Sequence, residues 1–176
     1  MAPKLEFAFI MRAYLSKESF KLDGILSGPS RLILPITHGF VQGPGLKAEV
    51  QPGGADWLLY QLVHCLRHSL NTQLDPSTNI AHLDVRTQAR TSEGHSLYIH
   101  YNGVLKLDDA GNKVFAAADD AKTTSYGDHE WFAGPKIETS DPNFKWVETS
   151  LFVAQGRYIV DDRGSAVEYQ IYKVTN

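Results

Sequence analysis

The run HLDVRTQARTSEGHSLYIHYN, His82–Asn102, decides the fold. Its first arm alternates without a break. Leu83, Val85, Thr87 and Ala89 point one way, and His82, Asp84, Arg86, Gln88 and Arg90 point the other. A period of two marks a strand, whose successive side chains leave opposite faces. Thr91-Ser92-Glu93-Gly94 supplies a turn. The second arm returns with Leu97, Ile99 and Tyr101 opposed to Tyr98, His100 and Asn102. Two alternating arms around a glycine-containing turn make a β-hairpin.

The same period recurs outward from the hairpin. Leu5, Phe7, Phe9 and Met11 are spaced by two, which predicts a strand over Leu5–Ala13. Arg31–Gln42 is rich in β-formers, with Pro35 marking an edge, a bulge or a break. Further strands are expected at Gly45–Gln51, Glu130–Glu138, Lys145–Val153 and Val167–Val174, with a short one at Arg157–Val160. Asp109-Ala110-Gly111-Asn112, Ser140-Asp141-Pro142-Asn143 and Asp161-Asp162-Arg163-Gly164 read as turns. One segment departs from the pattern. In Trp57–Leu70, Leu59, Leu62, Val63, Leu66 and Leu70 fit an amphipathic helix, with Asp56 as its N-cap.

Many short strands joined by turns, with too little helix to cover a parallel sheet, indicate an antiparallel barrel or sandwich. The reading is an all-β, small closed antiparallel β-barrel, one domain over residues 1–176, with one inserted helix or loop near 57–74. The terminal strands Leu5–Ala13 and Val167–Val174 would pair and remove the exposed edge.

Composition narrows the function. A formal charge of −3, with lysines and arginines dispersed, gives no footprint for nucleic acid or an anionic membrane. The single cysteine, Cys65, excludes a disulfide framework within the chain. MAPKLEFAF lacks the apolar segment of a signal peptide. No run approaches the roughly 18 apolar residues of a membrane helix. The expectation is a cytoplasmic protein whose partner is a small molecule, with a homo-oligomer formed through apolar outer strands as a further expectation.

The chemistry candidates start at GPGLKAEVQPGGADW, Gly43–Trp57. Its glycines mark backbone that bends tightly or runs close to a neighbour. At the end of that bend stands Asp56-Trp57, a carboxylate offered to the mouth of a cavity; a plain surface turn is the alternative. The polar face of the hairpin supplies Asp84, Arg86, Arg90, Tyr98 and His100. If it faces inward it lines a lumen, and if the apolar arm faces inward it is solvated surface; the pattern alone does not choose. Facing inward, Asp56, Asp84, Arg86 and His100 would form a general acid–base set, since an arginine keeps a neighbouring carboxylate ionised and an imidazole titrates near neutrality. His38, Trp57, Arg90, Tyr98, His129 and Trp146 are the expected substrate-binding residues. His129 belongs to Asp128-His129-Glu130, read as a loop at the barrel mouth. His64 and His68 stand four apart, but the glutamate of a helical zinc motif is replaced by Cys65, so no metal is assigned. No phosphate loop, dinucleotide fingerprint or nucleophile elbow is present, and no cofactor is expected.

The chain resembles the family called domain of unknown function 3237, also known as uncharacterised protein family 0311, in its fungal type. The matching pieces are PKLEFAF, Arg31 with PITHGFVQGPGLKAEVQPGGADW, HLDVRTQARTSEGHSLYIHYNG, HEWFAGPKIETSDPNFKWVETSLFVAQGR and YQIYKV, spanning nearly the whole chain. The resemblance implies a small antiparallel barrel similar to small-molecule-binding barrels. By its likeness to accessory proteins of secondary metabolism, it implies an isomerase, cyclase or lyase acting on a polyketide-like or aromatic metabolite. A non-catalytic ligand-binding barrel or a structural homodimer is the alternative. Leu59–Leu74 departs from the family pattern, in which the GGADW motif runs directly into a short turn.

Overall fold

A computed structural model describes residues 2–26, 30–60 and 79–176. The strands are β1 Lys4–Leu15, β2 Phe20–Leu22, β3 Ser30–Gly43, β4 Leu46–Tyr60, β5 Ile80–Thr91, β6 Ser96–Lys106, β7 Trp131–Thr139, β8 Phe152–Asp161 and β9 Gly164–Thr175. A short helix, α1, spans Asp109–Phe115, and a 3-10 helix spans Pro142–Thr149. The strands run antiparallel in the order β1-β9-β8-β7-β6-β5-β4-β3, and β1 pairs with β3 to close an eight-stranded barrel. β2 is the extra strand, paired with the first half of β3. The predicted terminal pairing is present: Leu5 opposes Val174 and Ala13 opposes Val167.

The apolar arm of the His82–Asn102 hairpin fills the barrel. Leu83, Val85, Ala89, Leu97, Ile99 and Tyr101 are all 2% exposed or less. Hydrophobic burial therefore selects the register, because a slip of one residue would turn this whole set toward water. The polar arm is the outer wall. At the β1–β3 seam Gly39 lies so close to β1 that a Cβ there would sit 2.0 Å from the Arg12 carbonyl oxygen. Only a glycine lets the seam close. The wall is thinnest between β7 and β8, which share two residue pairs, Phe132 with Gln155 and Ala133 with Ala154. Beyond them β8 is held by Thr124, whose N–H donates to the Tyr158 carbonyl at 3.0 Å and whose Oγ1 accepts from the Tyr158 N–H at 3.1 Å.

Three local expectations are corrected. β4 continues through Trp57, Leu58 and Leu59, so the helix expected from Trp57 does not start there and Asp56 is a mid-strand residue, not an N-cap. Pairing on both edges, with Leu32 and Leu58 opposed and Leu59 against His82, overrides the helical spacing. The remainder of that expected helix, with His64, Cys65 and His68, lies outside the described residues. Asp109-Ala110-Gly111-Asn112 is not a turn but the start of α1, because the Asp108 Oδ1 accepts the Gly111 N–H at 2.8 Å and caps it. The first part of Lys145–Val153 is 3-10 helix, entered through Pro142 and capped by Asp141, whose side chain accepts the Asn143 N–H at 2.9 Å. Among the described residues no helix is long and apolar enough to cross a membrane.

Candidate functional site

The PGG bend aims Asp56. The β4–β5 register shifts between Gln51 and Ala55: Val50 opposes Ala89 on one side and Asp56 opposes Val85 on the other. The two registers differ by two residues, so the even-numbered side chains of β4 stay on the inner face. The extra backbone fits because Gly53 adopts φ 107° and Gly54 runs hard against β5, where a Cβ would stand 2.6 Å from the Arg86 carbonyl. Asp56 thereby shares the inner row of Leu34 and Val85, both 3% exposed or less.

A carboxyl placed among such neighbours is strongly perturbed. Burial pushes Asp56 up to about 7; a backbone hydrogen bond from Asp84 opposes this, and the Asp84 charge adds to it. Its Oδ1 is shut off from water and has no hydrogen-bond partner. Val85 is in turn paired with Tyr101, whose hydroxyl is also buried and whose proton has no acceptor. Burial raises the Tyr101 phenol well above its ordinary range, the Asp56 charge raises it further, and the neighbouring Tyr169 hydroxyl, as a donor to it, opposes both. Tyr169 lies across from Tyr101, ring centroids 5.1 Å apart, and its hydroxyl accepts from the Trp131 indole N–H at 3.0 Å. Tyr169 feels both Tyr101 and Asp56, after burial, in the same upward direction. A carboxyl, the phenols of Tyr101, Tyr158 and Tyr169, the Thr87 hydroxyl and an indole thus stand inside a mostly apolar barrel. Buried polar groups are nearly always hydrogen-bonded, so the orphaned oxygens of Asp56, Thr87, Tyr101 and Tyr158 call for water or a ligand group.

Two cavities lie at the α1 end of the barrel. Leu58, on the inner face two residues beyond Asp56, lines a cavity of about 310 Å3 with Leu32, Ala81, Leu107 and Phe115. Two residues of strand place that cavity about 7 Å from the Asp56 position. On the other side of Phe115 a second opening, of about 250 Å3, is lined by Leu34, Val114 and Val160.

The other expected site residues are dispersed. Asp84, Arg86 and His100 do meet, but on the outer wall: His100 Nε2 is 3.3 Å and Arg86 Nη2 3.6 Å from Asp84 Oδ1. Arg90 and Tyr98 share that outer face and are exposed. The sheet separates this group from the Asp56 carboxyl, so the four do not surround one lumen. His38 stacks on Tyr14, centroids 4.4 Å apart, and its Nδ1 meets the Thr37 hydroxyl at 2.9 Å. Trp57 is half-buried and its carbonyl accepts from Arg31. Trp146 stacks on Phe9 at 5.6 Å. His129 is buried between Asp108 and Thr124, with Nδ1 to the carboxylate and Nε2 2.9 Å from Thr124 Oγ1. That arrangement ties the loop before β7 to the cap of α1. Among the described residues no three His, Cys, Asp or Glu side chains gather as a metal site. Tyr101, Tyr169 and Trp131 were not among the expected site residues. The available signal was Tyr101 itself, a phenol on the hairpin's apolar arm.

The comparisons with known proteins agree with this architecture. A family model described as a protein of unknown function, DUF3237, matches residues 3–174. A crystal structure of a conserved protein of unknown function from Rhodopseudomonas palustris superposes with a TM-score of 0.75 at 19% identity, covering 99% of both chains. A β-barrel-like protein from Acinetobacter baumannii gives 0.69 at 21% identity, covering 99% of this chain and 98% of that one. An enzyme from Penicillium herquei gives 0.58 at 14% identity, covering 99% and 96%. No curated protein matches significantly.

Proposed function

This chain belongs to the DUF3237 family, and we propose that it is a small-molecule-binding barrel that works as a cofactor-free isomerase, cyclase or lyase, with the Asp56 carboxyl as its proton carrier. The observation that carries the reading is Asp56 itself, a carboxyl on the inner face whose Oδ1 is buried without a partner and which is pushed up to about 7. A group that titrates near neutrality both takes and returns a proton at physiological pH. The apolar surroundings select an apolar substrate, and the free Tyr101 hydroxyl supplies a donor for a carbonyl oxygen that gains charge as an adjacent carbon loses its proton. An aromatic or polyketide-like ketone meets both demands. The structural neighbour described as an enzyme supports a catalytic use of this fold, at the level of the fold alone.

The experiment is proton exchange next to a carbonyl. In deuterated buffer, 2-tetralone incubated with the protein is expected to lose its α-proton NMR signal faster than in buffer alone, and Asp56→Asn is expected to abolish the acceleration. Equal exchange with both proteins and buffer would overturn the proposal. A second reading, a non-catalytic carrier, is favoured by one observation: an open groove of about 970 Å3 on the outer wall, floored by Gly103, Gly134 and Ala154 and flanked by Val104, Phe132 and Tyr172. Under it, 2-tetralone would bind at these residues and be recovered unexchanged.

A further inference from the structure

A second feature of the wall lies on the face opposite the interior. Phe40, Arg12, Glu168 and Arg157 form one continuous cross-strand row over β3, β1, β9 and β8. Glu168 is 2% exposed although it stands on the outer face. Its Oε2 accepts from Arg12 Nε at 2.6 Å; its Oε1 accepts from Arg157 Nε at 2.9 Å, from Arg157 Nη2 at 2.6 Å and from the Tyr126 hydroxyl at 3.0 Å. Burial pushes this carboxyl up, but the bonds from Arg157 and Arg12 outweigh it and hold it below the usual range. One saturated carboxylate therefore fixes two guanidinium groups. The nearby Asp161 takes Arg12 Nη1 at 3.3 Å, yet it also carries Arg163 beside it. Asp161 is thus answered by Arg163, which lies outside the row, while within the row two arginines, Arg12 and Arg157, face one carboxylate, Glu168, and keep one positive charge.

That charge lies in a groove of about 570 Å3 whose remaining walls are apolar: Phe7, Ile10, Phe40 and Pro44. Phe40 lies 5.4 Å from the Arg12 guanidinium carbon, and Phe7 is 48% exposed. Among the described residues, Arg12 Nη2 has no partner. Arg157 also donates from Nη1 to the Thr124 carbonyl at 3.5 Å, so Arg12 Nη2 is the open donor and Arg157 adds its charge beside it. Guanidinium groups already locked in position lose little freedom on meeting an anion. We propose that this groove binds monoanionic carboxylates with an aromatic or alkyl body, the carboxylate on Arg12 Nη2 within the field of Arg157 and the body on Phe7, Ile10 and Phe40. This site does not depend on the Asp56 reading.

The test uses 1-naphthoate and its neutral analogue 1-naphthamide, titrated into the whole protein and followed by calorimetry and amide NMR. The acid is expected to bind at least about tenfold more tightly than the amide at low salt, with shifts centred on Phe7, Phe40 and Arg12. Gln42→Glu adds a negative charge at the exposed rim of the groove and is expected to weaken the acid about tenfold while leaving the amide unchanged. Phe40→Ala is expected to weaken both. Equal affinity for acid and amide, no effect of Gln42→Glu, or shifts confined to the barrel interior would each overturn the proposal.

Discussion

Asp56 and Asp84 occupy adjacent strands of one wall with their carboxyls on opposite faces. Asp56 pairs with Val85 and shares its inner face, while Asp84, the next residue along β5, turns outward to His100 and Arg86. The backbone joins them all the same, since Asp84 hydrogen-bonds the Asp56 carboxyl through its main chain. One carboxylate is a half-buried residue of the outer wall and the other a polar group on the inner face.

With its folded pKa raised from 3.8 to about 7, Asp56 keeps a proton in the folded chain that the unfolded chain releases between about pH 4 and pH 7. Where the folded state holds more protons, stability falls as pH rises. Asp56→Asn carries no such penalty. Wild-type stability minus that of Asp56→Asn, measured by urea unfolding, is expected to fall steadily from pH 4 to pH 7 and to level off above. Glu168 and Asp161, whose pKa values are held low, act in the opposite sense: their contribution is present above the unfolded pKa and lost as pH falls. Both proteins share that acid limb, so it cancels in the difference. A difference constant across pH would contradict the interior placement.

Tyr101→Phe separates stability from function. The Tyr101 hydroxyl is buried with only the Tyr169 hydroxyl near it, so its own proton has no acceptor, and an unsatisfied buried group costs about 1–3 kcal/mol. Its removal is expected to leave the thermal midpoint unchanged or raise it by a few degrees. The same variant is expected to slow 2-tetralone exchange at least about tenfold if the hydroxyl steadies the developing oxyanion. A clear loss of thermal stability would mean the hydroxyl is bonded inside the protein.

Much of the barrel was legible in the sequence, because its strands are bound on one face by apolar side chains and on the other by polar ones. The hairpin shows this best: Leu83, Val85, Ala89, Leu97 and Ile99 are all buried core, as their alternation required. The inner carboxyl was half legible. The glycines before Asp56 announced a bend, but the direction of its side chain depends on a two-residue register shift against β5 that no local pattern encodes. The joining of Asp56 with Asp84, Arg86 and His100 failed for the same reason, since proximity along two strands says nothing about faces until the core side is known. Lys145–Val153 misled because Trp146 and Val147 read as strand formers while Asp141 and Pro142 upstream start a helical turn.

Glu168→Gln tests the ion network of the outer wall. The substitution leaves Arg12 and Arg157 without their shared carboxylate while both remain roughly three-quarters buried. Removing one partner of a buried pair costs about 3–5 kcal/mol, and the residual exposure of the arginines places this case near the lower end. Chemical unfolding is expected to show a loss of about 3 kcal/mol. A loss below about 1 kcal/mol would mean the pairs behave as surface ion pairs.

Gly39→Ala tests the seam. A methyl group there would stand 2.0 Å from the Arg12 carbonyl oxygen, which is backbone and has no rotamer to yield. The β1–β3 pairing must separate to admit it. The variant is expected to lose at least about 3 kcal/mol, in the range of severe overpacking. Amide exchange should accelerate first at Arg12, Ala13 and Phe40. Full stability would show that the barrel does not depend on this closure.

The most direct test of the central claim is the titration of the Asp56 side chain, followed by its carboxyl 13C shift in selectively labelled protein and assigned with Asp56→Asn. A carboxyl on the inner face, with one oxygen buried and unpartnered and the other held only by the Asp84 backbone, is expected to titrate near 7. A midpoint near 4, the value of a solvated aspartate, would contradict the account, because Asp56 would then be an ordinary wall residue with no proton to offer at neutral pH.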